Sequence, residues 1–197
     1  MKAYIKKIAY YLPEMVEENP PNRLRKKTGI FRRHICGTNE IASDLAIKAV
    51  EKIFTNGIDK SKVEMLLLCT QSPDYFLPTT ACILQHKLGL KKSCGAMDYN
   101  LGCSGYIYGL SLAKGMIESG QVNNVLLVTT ETYSKYINEK DHSVKPLFGD
   151  GATATFVEAV DTDIPGLDGF VFGTDGSGFE NLIVPEGGMV HPYGTVK

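Results

Sequence analysis

The sequence has almost no net charge: 21 lysines and arginines stand against 22 aspartates and glutamates, a balance of −1. Binding to nucleic acid needs a clustered basic excess, so no nucleic-acid partner is expected. The densest basic stretch, Arg23 to Arg33, reads as a solvated loop and strand face. Its functional alternative is a patch for an anionic carrier or a phosphate-bearing cofactor. No apolar run approaches membrane-spanning length, which argues against membrane insertion. The opening MKAYIKKIAYYLPE is charged and too poor in apolar residues for a secretory signal. Five cysteines, Cys36, Cys69, Cys82, Cys94 and Cys103, include no CxxC pair. An odd, widely spaced set points to free thiols in a reducing cytoplasmic compartment. His34, His86, His142 and His191 lack metal spacing. Cys82 and His86 lie one helical turn apart but have no second pair, so no metal site is expected. No GxGxxG opens the first helix, which disfavours a dinucleotide fold.

What is present is an ordinary soluble composition, 43% hydrophobic and 22% charged over 197 residues, enough for one domain spanning residues 1–197. Residues 3–10 alternate as a strand, and Asn19-Pro20-Pro21-Asn22 is a loop that no helix interior could contain. Ile30 to Ile35 reads as a short strand. Ile41, Leu45, Ala49 and Ile53 then recur at intervals of four, predicting a helix capped by Asn39 and ended by Asn56-Gly57. Val63 to Thr70 is a nearly continuous apolar run, as in a buried parallel strand. A helix over Thr79 to Leu88, a strand over Ala96 to Asn100 and a helix from Cys103 to about Ser119 follow. Three further strands are predicted at Val125 to Thr130, Ala152 to Val160 and Leu167 to Thr174. Strands alternating with amphipathic helices imply an α/β domain, a mixed and mostly parallel sheet covered by helices.

The chemistry concentrates in AMDYNLGCSGYIYGLSLA, Ala96 to Ala113. A buried strand ends, the chain turns through Leu101-Gly102, and Cys103 opens a helix. The first-turn amides and dipole of a helix favour a thiolate, the competent nucleophile. A turn at the carboxyl edge of a parallel sheet is also where α/β proteins bind ligands. Gly102 and Gly105 are read as leaving room for a substrate, and Gly109 and Gly115 as letting the helix lie close to a neighbour. Cys69 and Cys82, in apolar runs, are read as packing residues. On this pattern alone, Cys103 as a buried small residue at a helix start stays equally open.

The run Asp98-Tyr99-Asn100-Leu101-Gly102-Cys103-Ser104-Gly105 resembles the nucleophile motif of β-ketoacyl-acyl-carrier-protein synthase III, in the thiolase-like superfamily. Collinear matches include Tyr11-Leu12-Pro13-Glu14, Thr28 to Ile35, Ser72 to Pro78, Phe148 to Ala152 and Thr174 to Ser177. The resemblance implies one half, the amino-terminal one, of the duplicated α-β-α-β-α thiolase-like architecture. It implies that Cys103 takes an acyl group from a thioester such as acyl-coenzyme A. Decarboxylative condensation with malonyl-acyl carrier protein would follow, initiating fatty acid synthesis. It places Tyr133, Phe148 and Leu182 in the acyl pocket and Leu77 on a loop that reaches across a homodimer. Two departures qualify this. The family's catalytic histidine and asparagine are expected beyond Lys197, so these residues alone should not condense. The segment between Glu14 and Thr28 is short, with Arg23 near the place of an adenine-holding aromatic and His142 at that of an arginine. A specialised acyl or glycolipid condensing enzyme, or a non-catalytic dimerising subunit, are the alternatives.

Overall fold

The computed structural model describes residues 1–194. Its main sheet has five strands in the order β1-β7-β6-β4-β5. They are β1 (Lys2–Tyr11), β4 (Met65–Cys69), β5 (Gly95–Tyr99), β6 (Asn124–Glu131) and β7 (Gly151–Val160). The pairs β4–β5 and β4–β6 are parallel, while β6–β7 and β1–β7 are antiparallel. Parallel pairing is thus confined to the three strands next to the Cys103 turn. A separate hairpin joins β2 (Met15–Glu18) to β3 (Arg32–Ile35).

The apolar run of β4 supplies both faces of the sheet, because alternate side chains point opposite ways. Leu66 and Leu68 pack under α2 (Ala42–Thr55) and α3 (Thr80–Lys87), together with Leu45, Ala49, Ile53, Leu84, Leu126 and Phe156. Leu67 points to the other face, under α4 (Gly105–Glu118), with Leu110, Ala113, Ile117, Leu127 and Val157. Helix α2 follows the four-residue spacing, but Asn39 does not cap it. The cap is Ile41, whose amide donates to Asp44 Oδ2 at 3.2 Å, so the acid at the third helical position satisfies the turn from inside. Gly57, at φ +97°, ends the helix as expected.

Several expectations are corrected. Arg23–Thr28 is a short helix, α1, capped by the Asn22 side chain on the Arg25 amide, and Gly29 at φ +70° closes it. The basic stretch around it is not wholly solvated. Arg33 is 7% exposed and donates to Asn19 Oδ1, to the Phe148 carbonyl and to Glu17 Oε2. Leu167–Thr174 is not a strand, since it lies on no sheet edge. Phe172 packs instead against Tyr108 and Phe170, at ring separations of 4.8 and 6.1 Å. Cys82 is exposed rather than packed, although Cys69 is buried as expected. No described helix is long and apolar enough to cross a membrane.

Candidate active site

The three parallel strands run the same way, so the loops that follow them converge on one edge. Cys103 comes from the loop after β5, Gln71 and Ser72 from that after β4, and Glu131 closes β6. Helix α4 begins at Gly105 with Ser104 as its cap residue, so Cys103 lies in the turn before the helix and does not open it. Its thiol is exposed. The Gly105 amide donates back to the Gly102 carbonyl at 2.8 Å, tightening that turn. The amides of Cys103 and Ser104 donate to no group among the described residues, which leaves them free for an anionic oxygen.

One buried and one partly buried side chain hold this turn from beneath. The Cys69 thiol donates to the Leu101 carbonyl at 3.0 Å, and the Tyr99 hydroxyl donates to the Gly105 carbonyl at 2.8 Å. Burial pushes both groups up from their ordinary pKa, so each is kept in its protonated, donating form. The glycines here serve packing. A Cβ on Gly105 would overlap Cys69 Sγ, and one on Gly109 would meet Leu127 Cδ1 at 2.5 Å and overlap the Tyr99 hydroxyl. Gly105 therefore brings the helix onto the sheet and is not space for a substrate. Gly115 faces open space and supports no close approach.

Beside the turn lies an open cavity of about 810 Å³. Tyr133, Phe148 and Leu182 all line it, with Gln71, Asn100 and Tyr136. Tyr133 stacks on Phe148 at 5.2 Å between ring centres. The Tyr133 phenol is raised by burial, and then by its electrostatic interaction with the nearby Glu131. Cys103 does not itself line the cavity, and Leu77 lies apart from it, 85% exposed on the loop before α3. Phe76, its neighbour, lines the cavity.

Sequence reasoning missed Glu131 and Gln71. The Glu131 carboxylate accepts the Gln71 amide and the Ser72 hydroxyl, each at 2.8 Å. Burial pushes its pKa up to about 7 against those hydrogen bonds, with Asp150 adding to the rise. The signal available was position: an acid at the carboxyl end of a strand next to β4 falls on the ligand edge of such a sheet. Cys36 is different in kind. Burial, then Asp150, raises its thiol to about 11, which makes it inert. Among the described residues no cluster of histidine, cysteine and acids could hold a metal.

Residues 97–176, the segment that carries this turn and the cavity aromatics Tyr133, Tyr136 and Phe148, match the family model of 3-oxoacyl-[acyl-carrier-protein] synthase III. A β-ketoacyl-[acyl-carrier-protein] synthase III of Fusobacterium nucleatum is 37% identical, covering 95% of this chain and 60% of the relative. One from Sulfurovum sp. is 40% identical, over 85% of this chain and 49% of that protein. A crystal structure of a 3-oxoacyl-(acyl-carrier-protein) synthase III superposes with a TM-score of 0.95 at 49% identity, covering 98% of this chain and 60% of that one. Over nearly all of its length the chain is similar to members of the 3-oxoacyl-[acyl-carrier-protein] synthase III family. It has the thiolase-like α/β fold of that family and spans about half to three fifths of the length of these relatives. A synthase from Burkholderia xenovorans superposes with a TM-score of 0.87 at 35% identity, covering 98% of this chain and 58% of that one.

Proposed function

We propose that this chain carries the acyl-accepting half-site of a β-ketoacyl-acyl-carrier-protein synthase III, with Cys103 as nucleophile. One observation carries the reading: an exposed cysteine, braced from below at Leu101 and Gly105, stands at the sheet's ligand edge beside an aromatic-walled cavity. In the acyl-transfer step the Cys103 thiolate attacks the thioester carbonyl carbon, and negative charge collects on its oxygen. The amides of Cys103 and Ser104, which donate to no group among the described residues, are the proposed donors to that charge. The oxyanion then collapses, the bond to the donor sulfur breaks, and the donor leaves as a thiol after taking up a proton. Acyl-coenzyme A is the proposed donor and no cofactor is required.

In the second half-reaction a malonyl thioester on acyl carrier protein loses carbon dioxide. Its enolate carbon attacks the acyl-enzyme carbonyl and Cys103 leaves as thiolate. No histidine lines the cavity among the described residues, so the groups that stabilise the enolate are proposed to lie outside these 197 residues. The chain is read as one thiolase-like unit, cytoplasmic, acting as a homodimer. Support for the dimer comes from Tyr75, Phe76 and Leu77, all exposed on one loop beside the free edge of β5.

Intact-protein mass spectrometry with a short acyl thioester tests the assignment. One acyl adduct is expected on the wild-type chain and none on Cys103→Ser. Undiminished labelling of that variant would remove Cys103 from the role.

A further inference from the structure

Gln71 stands where the candidate nucleophile meets the cavity. Its amide donates to Glu131 at 2.8 Å and its carbonyl accepts the Tyr136 hydroxyl at 3.1 Å, so its backbone is clamped on both sides. Its side-chain oxygen accepts the Tyr133 hydroxyl. That oxygen also lies against the turn: a Cβ on Gly102, next to Cys103, would stand 2.9 Å from it. With the oxygen taken, the amide nitrogen carries two donors and has no acceptor among the described residues. The cavity wall includes Phe148 stacked on Tyr133, with Val144, Leu182 and Ile183, alongside the polar Asn100, Asn138, Asp141 and Glu180.

An acyl chain on Cys103 that enters this cavity must pass Gln71 within its first few carbons. A saturated chain would strip water from the amide donors and return no hydrogen bond, which is unfavourable. An oxygen a few bonds beyond the thioester carbon would accept one. A site that holds out a fixed donor in this way discriminates against the analogue lacking the acceptor.

We propose that the acyl group loaded on Cys103 is oxygenated at its third carbon, as in a 3-hydroxyacyl thioester, and that the Gln71 side-chain amide is the specificity determinant that recognises this oxygen. The proposal rests on Cys103 being the acyl acceptor. The probes are two matched thioesters of N-acetylcysteamine, 3-hydroxybutyryl and butyryl, with the labelling rate of Cys103 read by intact mass on wild type and on the near-isosteric Gln71→Met. Wild type should take the hydroxylated ester roughly tenfold faster, the size set by one donor left unpaired. Gln71→Met should bring the ratio close to one, mainly by accepting butyryl more readily. Equal wild-type rates, or a preference that survives in Gln71→Met, would overturn this inference and leave the acyl-acceptor reading standing. No label on Cys103 from either ester would overturn both. Should Gln71→Met fail to fold, the wild-type ratio alone decides, a value near one counting against the proposal.

Discussion

The two faces of the central sheet are covered in different ways. On one face, α2 and α3 bury full-sized side chains, among them Leu45, Val50, Ile53 and Leu84, all completely enclosed with Leu66, Leu126 and Phe156. On the other, α4 comes in on Gly105, Gly109 and Ala113, so its backbone lies nearly against Tyr99 and Leu127. The first arrangement maximises apolar area removed from water, which is the main source of stability. The second gives up area for closeness. Its polar contacts, Tyr99 to the Gly105 carbonyl and Cys69 to the Leu101 carbonyl, fix a turn rather than fill a core. One face stabilises the molecule and the other aims Cys103.

Substitutions on each face separate these roles. Leu45→Ala should produce the largest loss of stability, about 2–5 kcal/mol for a fully buried leucine. Its Cys103 alkylation rate, measured with iodoacetamide well below the denaturation midpoint, should stay near wild type. A large change in that rate would show that the α2 face also positions the thiol. Gly109→Ala ranks second. Overpacking costs about 1–3 kcal/mol, and roughly 1 kcal/mol returns because alanine favours helix over glycine. Urea denaturation should therefore move modestly while Cys103 alkylation changes severalfold, as α4 is pushed off the sheet. Unchanged alkylation would mean that the helix and the turn are not mechanically joined.

The smallest effect on stability belongs to Tyr99→Phe, which removes one hydroxyl and keeps the ring. About 1 kcal/mol should be lost for the missing hydrogen bond. The rate of Cys103 alkylation at a fixed pH should change severalfold, since the carbonyl at Gly105 is no longer held. A Tyr99→Phe variant that loses stability but keeps the wild-type rate would reduce Tyr99 to an ordinary packing residue.

The large-residue face was the legible one. The spacing Ile41-Leu45-Ala49-Ile53 and the apolar run of β4 follow from periodicity, and the fold has both elements where those patterns put them. Failures came where a local pattern met a tertiary requirement. Leu167–Thr174 has strand-like residues and no partner strand. Asn39 is a good cap residue, but Asp44 serves the helix start instead. Arg33 reads as surface charge until Asn19, Glu17 and the Phe148 carbonyl surround it. At the site, the Cys103 turn was visible in the chain itself, whereas Tyr133, Phe148 and Leu182 came only with the resemblance. Gln71 and Glu131 stayed hidden because nothing in sequence links positions 71 and 131. Only the parallel register of β4 with β6, Cys69 opposite Thr129, brings them together.

The pairing of β1 with β7 has a consequence for the order of events at the ribosome. Ile5 lies opposite Val157, so the first strand to be made finds its partner only after more than a hundred further residues. At elongation rates of ~5–20 residues per second, that wait lasts on the order of ten to thirty seconds. In the later part of it the Cys103 turn, by then synthesised, still has no Phe148 and no β7 behind it. The thiol therefore emerges well before the cavity that would guide a substrate to it, and β1 spends that interval as an unpaired edge open to wrong partners.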